Sequence, residues 1–118
     1  MSKKIGILGG GQLAMMLVEA ARRLGITDVT VLDPNPNCPA SMVGAKQIVG
    51  SFLDKLKILE LAKQVDTLTI DIENVDDVAL SNMINICDIY TYPYHLFDIS
   101  YHLLNFFLTF HILFLTFF

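Results

Sequence analysis

An α/β fold with a parallel sheet is predicted for residues 1–88, and three observations predict it. Short apolar runs alternate with amphipathic segments along this stretch. The first run ends in a glycine triplet, Gly9-Gly10-Gly11, that opens directly into a helical pattern. Each later run is closed by Gly, Pro, Asn or Asp, the residues that punctuate strands and helices. Strands separated by helices imply parallel pairing with right-handed crossovers.

Ile5-Gly6-Ile7-Leu8 reads as a buried strand entering a tight turn. Gln12 to Leu24 follows with Leu13, Met16, Leu17, Ala20, Ala21 and Leu24 at helical spacing. Arg22 and Arg23 fall in its last turn, where positive charge suits the helix dipole, and Gly25 is placed as its stop. Val29-Thr30-Val31-Leu32 is a second strand, ending at Asp33-Pro34. Three prolines between Pro34 and Pro39 make the next stretch a loop. A short helical turn is expected over 40–45 and a third strand over Gln47-Ile48-Val49. Ser51 or Asp54 caps the following helix, which runs to about Gln64 with Leu56, Leu59, Leu61 and Ala62 as its apolar positions. Thr67 to Ile72 is the next strand, Glu73-Asn74-Val75 sits at its carboxyl end, and a short helix is expected over 76–83.

Composition divides the chain. All eight Lys and Arg residues lie at or before Lys63, whereas seven of the eight Phe and all four Tyr lie at or after Tyr90. Average domains do not segregate charge in this way. The join falls near residues 84–90, so residues 89–118 are treated as a separate, atypical apolar tail. Leu103–Phe118 is 16 residues long, short of the about 20 a membrane helix needs, and no membrane span is expected. A net charge of −4 excludes an electrostatic footprint for nucleic acid. Cys38 and Cys87 lack metal-ligand spacing and read as reduced thiols. The four apolar-type residues before the glycines are too few for a signal-peptide core, so a cytoplasmic protein is expected.

The loop Gly9-Gly10-Gly11-Gln12-Leu13-Ala14 satisfies the G-x-G-x-x-G/A pattern of a Rossmann-like turn. The first glycine permits the turn, the next lets a ligand approach bare backbone, and Ala14 lets the helix pack against the strand. Free N–H groups at the helix start can hold an anion. Asp33 stands about 20 residues further on, where a dehydrogenase holds a ribose hydroxyl. Two readings of Asp33 follow: a ribose acid in an NAD(P)-binding oxidoreductase domain, or an Asx-type turn that ends the strand ahead of Pro34. The second is preferred.

The longer string Lys4 to Ala14 resembles the opening of the 5-(carboxyamino)imidazole ribonucleotide synthases, ATP-grasp ligases of purine biosynthesis. Val31 to Ala40, Gln47 to Phe52 and Asp66 to Val75 resemble that family's next three blocks, in order and spacing. The resemblance implies a pre-ATP-grasp domain over residues 1–88 and the degenerate start of an ATP-grasp central region over 89–118. It implies an ATP-dependent carbon–nitrogen ligase that carboxylates aminoimidazole ribonucleotide with bicarbonate, through carboxyphosphate, in de novo purine biosynthesis. ATP and magnesium are the family's cofactors; no site for either, no metal ligand and no catalytic residue is read in this chain. The implied ribonucleotide-binding residues are Gly10, Gly11, Gln12, Leu13 and Glu73, and homodimers occur in the family.

The chain departs from the family pattern in places. Met15 replaces a common basic residue. Tyr101-His102 and Asn105-Phe106 stand where Asp-Arg and Gln-Lys are expected, and leucines replace prolines after Ile112. The tail reads as a degraded or truncated copy, or a sequence error, and the 118 residues are expected to be inactive alone. A non-catalytic nucleotide-binding or interaction module is the alternative from a different class.

Overall fold

The computed structural model describes residues 3–72, 78, 81, 82 and 86–90. Within them five strands form one sheet: β1 (Lys4–Leu8), β2 (Asp28–Asp33), β3 (Lys46–Val49), β4 (Thr67–Ile70) and β5 (Asp88–Tyr90). The helices are α1 (Gln12–Arg23), α2 (Pro39–Met42) and α3 (Lys55–Gln64). The sheet order is β3-β2-β1-β4-β5, and every pairing is parallel. The Rossmann-like parallel α/β fold expected from the glycine turn is the one found.

Two apolar layers sandwich the sheet. Ile5 and Ile7 of β1 and Val29 and Val31 of β2 pack with Leu17, Val18 and Ala21 of α1. Leu8, Leu32, Ile48 and Leu68 face the other way, against Ile58, Leu61 and Ala62 of α3. The alternation is the period of two of a strand buried on both faces. Gly6 lets α3 sit close: a Cβ there would lie 2.9 Å from Val65 and 3.0 Å from Leu68.

Both long helices are rotated from the faces expected. Val18 of α1 is buried while Met16 is exposed, and Ile58 of α3 is buried while Leu56 is exposed. The sequence holds more apolar residues than either stripe can bury, and only contact with the sheet selects among them. Asp54, rather than Ser51, caps α3, accepting from Leu56 N at 3.0 Å and Lys57 N at 3.4 Å. Ser51 Oγ instead accepts Leu53 N one turn earlier.

β4 ends at Ile70, two residues before the expected end of its run. β5 pairs with β4 from Thr67↔Asp88 to Thr69↔Tyr90, which carries the sheet two residues past residue 88. The helix expected over 76–83 falls mostly outside the described residues, though Val78, Ser81 and Asn82 are helical. The tail from residue 91 onward lies outside them entirely. Among the described residues no helix is long and apolar enough to cross a membrane.

The chain runs outward from β1 through β2 to β3, then returns to β4 on the far side of β1. That reversal makes the carboxyl ends of β1 and β4 the switch point, whose crevice is the position where open α/β sheets bind ligands.

Candidate functional site

The glycine turn leaves β1 at this crevice. Gly9 has φ +108°, a conformation that side-chain-bearing residues rarely adopt. Its N–H donates to Leu32 O at 2.9 Å, and Asp71 N donates to Leu8 O at 2.8 Å, so the turn is tied to β2 and to the exit of β4. A Cβ on Gly9 would lie 3.0 Å from the Ile72 side chain. Glu73 lies outside the described residues, but its neighbours Asp71 and Ile72 stand beside the glycine turn.

Gly10 is held by the segment that follows β2. Its N–H donates to Asp33 Oδ2 at 2.9 Å, and its carbonyl accepts Ala40 N at 3.0 Å. A Cβ on Gly10 would lie 2.5 Å from Cys38 Sγ and 3.1 Å from Asp33 Cβ. The bare backbone of Gly10 is therefore required by Cys38, a buried residue of the fold. The open position is Gly11, where an added Cβ would meet nothing within 4 Å. Gly10 is the variable position of the G-x-G-x-x-A pattern, and the tertiary contact with Cys38, invisible in the local pattern, explains why it too is glycine.

Gly11 is also the N-cap of α1, and no described side chain caps the helix there. The first N–H groups of a helix have no intrahelical partner. Those of Gln12 and Leu13 begin α1 at the crevice, where they form a region of positive potential. Gln12 is exposed, Leu13 is half-buried, and Ala14 is fully buried against the strand as its small size permits.

Asp33 closes β2 with both carboxylate oxygens engaged. Oδ1 accepts Asn35 N at 2.8 Å, which is an Asx turn, while Oδ2 accepts Gly10 N. The carboxylate thus faces into the protein's own backbone, and the ribose-acid reading of Asp33 gains no support. The loop beyond it turns at Asn37, at φ +61°, which Asn tolerates better than most residues. Gln47 Nε2 of β3 braces that loop by donating to Asn35 O at 2.7 Å.

Among the described residues no three of His, Cys, Asp and Glu stand together as a metal site. Both cysteines are free and buried. Cys87 lies beside β5, and its burial, assisted by the charge of Asp88, pushes its thiol pKa up.

A parallel sheet whose strand order reverses beside a glycine turn, with an uncapped helix start at the reversal, defines a doubly wound nucleotide-type α/β domain. The family model for the ribonucleotide synthetase preATP-grasp domain matches residues 1–99, and the chain belongs to that family. The chain is 49% identical over 72 residues to the chloroplastic phosphoribosylaminoimidazole carboxylase of Vigna aconitifolia, covering 61% of this chain and 13% of that protein. It is 45% identical over 71 residues to the N5-carboxyaminoimidazole ribonucleotide synthase of Brucella melitensis, covering 60% of this chain and 19% of that one.

Solved structures agree. The N5-carboxyaminoimidazole ribonucleotide synthetase of Thermotoga maritima superposes with a TM-score of 0.69 at 43% identity, over 74% of this chain and 24% of that one. The N5-carboxyaminoimidazole synthase of Aspergillus clavatus, solved in complex with ADP and 5-aminoimidazole ribonucleotide, gives a TM-score of 0.68 at 44% identity, over 75% of this chain and 23% of that one. The chain thus spans a quarter or less of the length of these relatives.

Proposed function

We propose that this chain is the N-terminal, ribonucleotide-binding part of an ATP-dependent ligase that carboxylates aminoimidazole ribonucleotide with bicarbonate in de novo purine biosynthesis. The observation that carries the proposal is the uncapped start of α1 behind the open backbone of Gly11, at the reversal of the sheet. Membership of the ribonucleotide synthetase family supports it. So does 44% identity to an enzyme solved with ADP and 5-aminoimidazole ribonucleotide.

In this reading Gly11, Gln12 and Leu13 line one wall of the ribonucleotide pocket. Gly10 holds that wall from behind, and Glu73 accepts hydrogen bonds from the substrate's ribose or amine. The helix start favours the anionic part of the ligand. By the family resemblance, ATP and magnesium act in the parts of the relatives that this chain does not cover. When bound there, magnesium would offset phosphate charge during transfer. The proposed pre-ATP-grasp domain covers residues 1–88 and the start of the central region 89–118, with β5 straddling the boundary. Cytoplasm is the proposed compartment, with a plastid the alternative suggested by the chloroplastic Vigna relative. A homodimer is part of the proposal only through the family resemblance.

The test is titration of the ¹⁵N-labelled 118-residue chain with aminoimidazole ribonucleotide, followed by amide chemical shifts. Shifts concentrated at Gly11, Gln12 and Leu13 are expected. Equal or larger shifts on NADH titration, or none with the ribonucleotide, would overturn the reading. The chain alone is expected to show no ATP hydrolysis stimulated by ribonucleotide and bicarbonate.

A further inference from the structure

Gly10 is clamped on three sides by one short segment. Asp33 takes its N–H, Ala40 N donates to its carbonyl, and Cys38 Sγ fills the space a side chain would need. The segment is itself fixed. Asp33 Oδ1 holds Asn35 N, Gln47 Nε2 holds Asn35 O, and Ser41 Oγ donates to Cys38 O at 2.7 Å. The glycine turn by contrast carries no side chain of its own between Leu8 and Gln12. Three successive glycines lose more conformational freedom on ordering than any other tripeptide. Something outside the turn must supply its order.

We propose that Asp33 is a positioning residue: its carboxylate, bridging the N–H groups of Gly10 and Asn35, fixes the glycine turn so that Gly11, Gln12 and Leu13 present their N–H groups to the ligand. The ribonucleotide part of this statement rests on the function proposed above; the positioning part does not. One carboxylate engages both segments, and hydrogen bonds to an ionised acceptor are about twice as strong as neutral ones. The negative charge is turned toward Gly10 and Asn35, while the open side of the turn is at Gly11. A turn ordered before the ligand arrives spares binding the cost of ordering it.

Asp33→Asn is the informative variant. It keeps the shape that packs against Gly10 but offers one acceptor oxygen, so its amide group faces one of the two N–H donors. In the ligand-free 118-residue chain, hydrogen exchange at the Gly10 amide is expected to rise about tenfold, the share of one charge-assisted bond. Relaxation measurements should show Gly11, Gln12 and Leu13 losing order while β1 and β4 amides stay unchanged. Ribonucleotide affinity should fall about tenfold with the lost order.

Unchanged exchange and order in Asp33→Asn would overturn the positioning role, whatever the binding result. A loosened turn in the variant, with no ribonucleotide response at these amides in the unsubstituted chain, would support the positioning role and overturn the ribonucleotide reading instead. If Asp33→Asn fails to fold, the unsubstituted chain decides. A scalar coupling across the hydrogen bond, from the Gly10 nitrogen to the Asp33 carboxyl carbon, is expected, and its absence overturns the proposal.

Discussion

Cys38 Sγ lies where the Cβ of any residue other than glycine at position 10 would have to go, 2.5 Å from that point. The contact joins the turn after β1 to the loop after β2, and both partners are buried. It makes the middle glycine of the triplet a packing requirement, and it leaves the half-buried third glycine as the open position of the turn.

Gly10→Ala should therefore destabilise the fold by overpacking, by about 1–3 kcal/mol. The denaturant midpoint measures it. Removing the sulfur with Cys38→Ala should recover part of the loss, since residues in contact are energetically coupled. An equal loss in both backgrounds would show that Cys38 is not the obstacle.

Gly11→Ala should behave in the opposite way. Nothing lies within 4 Å of its added methyl, and φ there is −75°, which alanine adopts freely. Stability should fall by only about 0.5–1 kcal/mol, the preference of an N-cap for glycine over alanine. In the proposed pocket the methyl occupies the open side of the turn, and ribonucleotide affinity should fall by about tenfold, or about 1.4 kcal/mol. Calorimetric titration reads this directly; undiminished affinity would move the pocket away from Gly11.

Asp54→Ala should cost about 1 kcal/mol through the lost N-cap of α3. Asp54 accepts from both Leu56 N and Lys57 N, and its charge suits the helix start. Asp54→Asn should retain most of the stability in thermal unfolding. A loss as large as that of alanine would mean the charge, and not the cap geometry, is what matters.

Cys87 gives a pH dependence. Burial and the neighbouring Asp88 raise its thiol pKa in the folded chain, so folding favours the protonated form. The resulting stability is fully present below the ordinary thiol value and is lost as pH rises through the higher folded value. Unfolding curves from pH 7 to pH 10 should decline more steeply for the unsubstituted chain than for Cys87→Ala. Parallel declines would show that the thiol contributes nothing to the slope.

The sequence alone determined the succession of strands and helices, the glycine turn after β1, the Asx turn at Asp33 and the family resemblance later shown by residues 1–99. These are written in local periods and short motifs, which depend on neighbours a few residues away. Tertiary structure alone decided which apolar residues of α1 and α3 are buried, that β5 joins the sheet beside β4, and that Gly10 belongs to Asp33, Cys38 and Ala40. Those facts depend on contacts between segments far apart in the chain, and loop closure over such distances leaves no periodic trace in it. Asp71 and Ile72 lie beside the glycine turn, and the proposed role of the next residue in sequence, Glu73, rests on the family resemblance. The turn was legible because its geometry is local; the partner that holds it was not, because the hydrogen bond from Gly10 to Asp33 spans 23 residues.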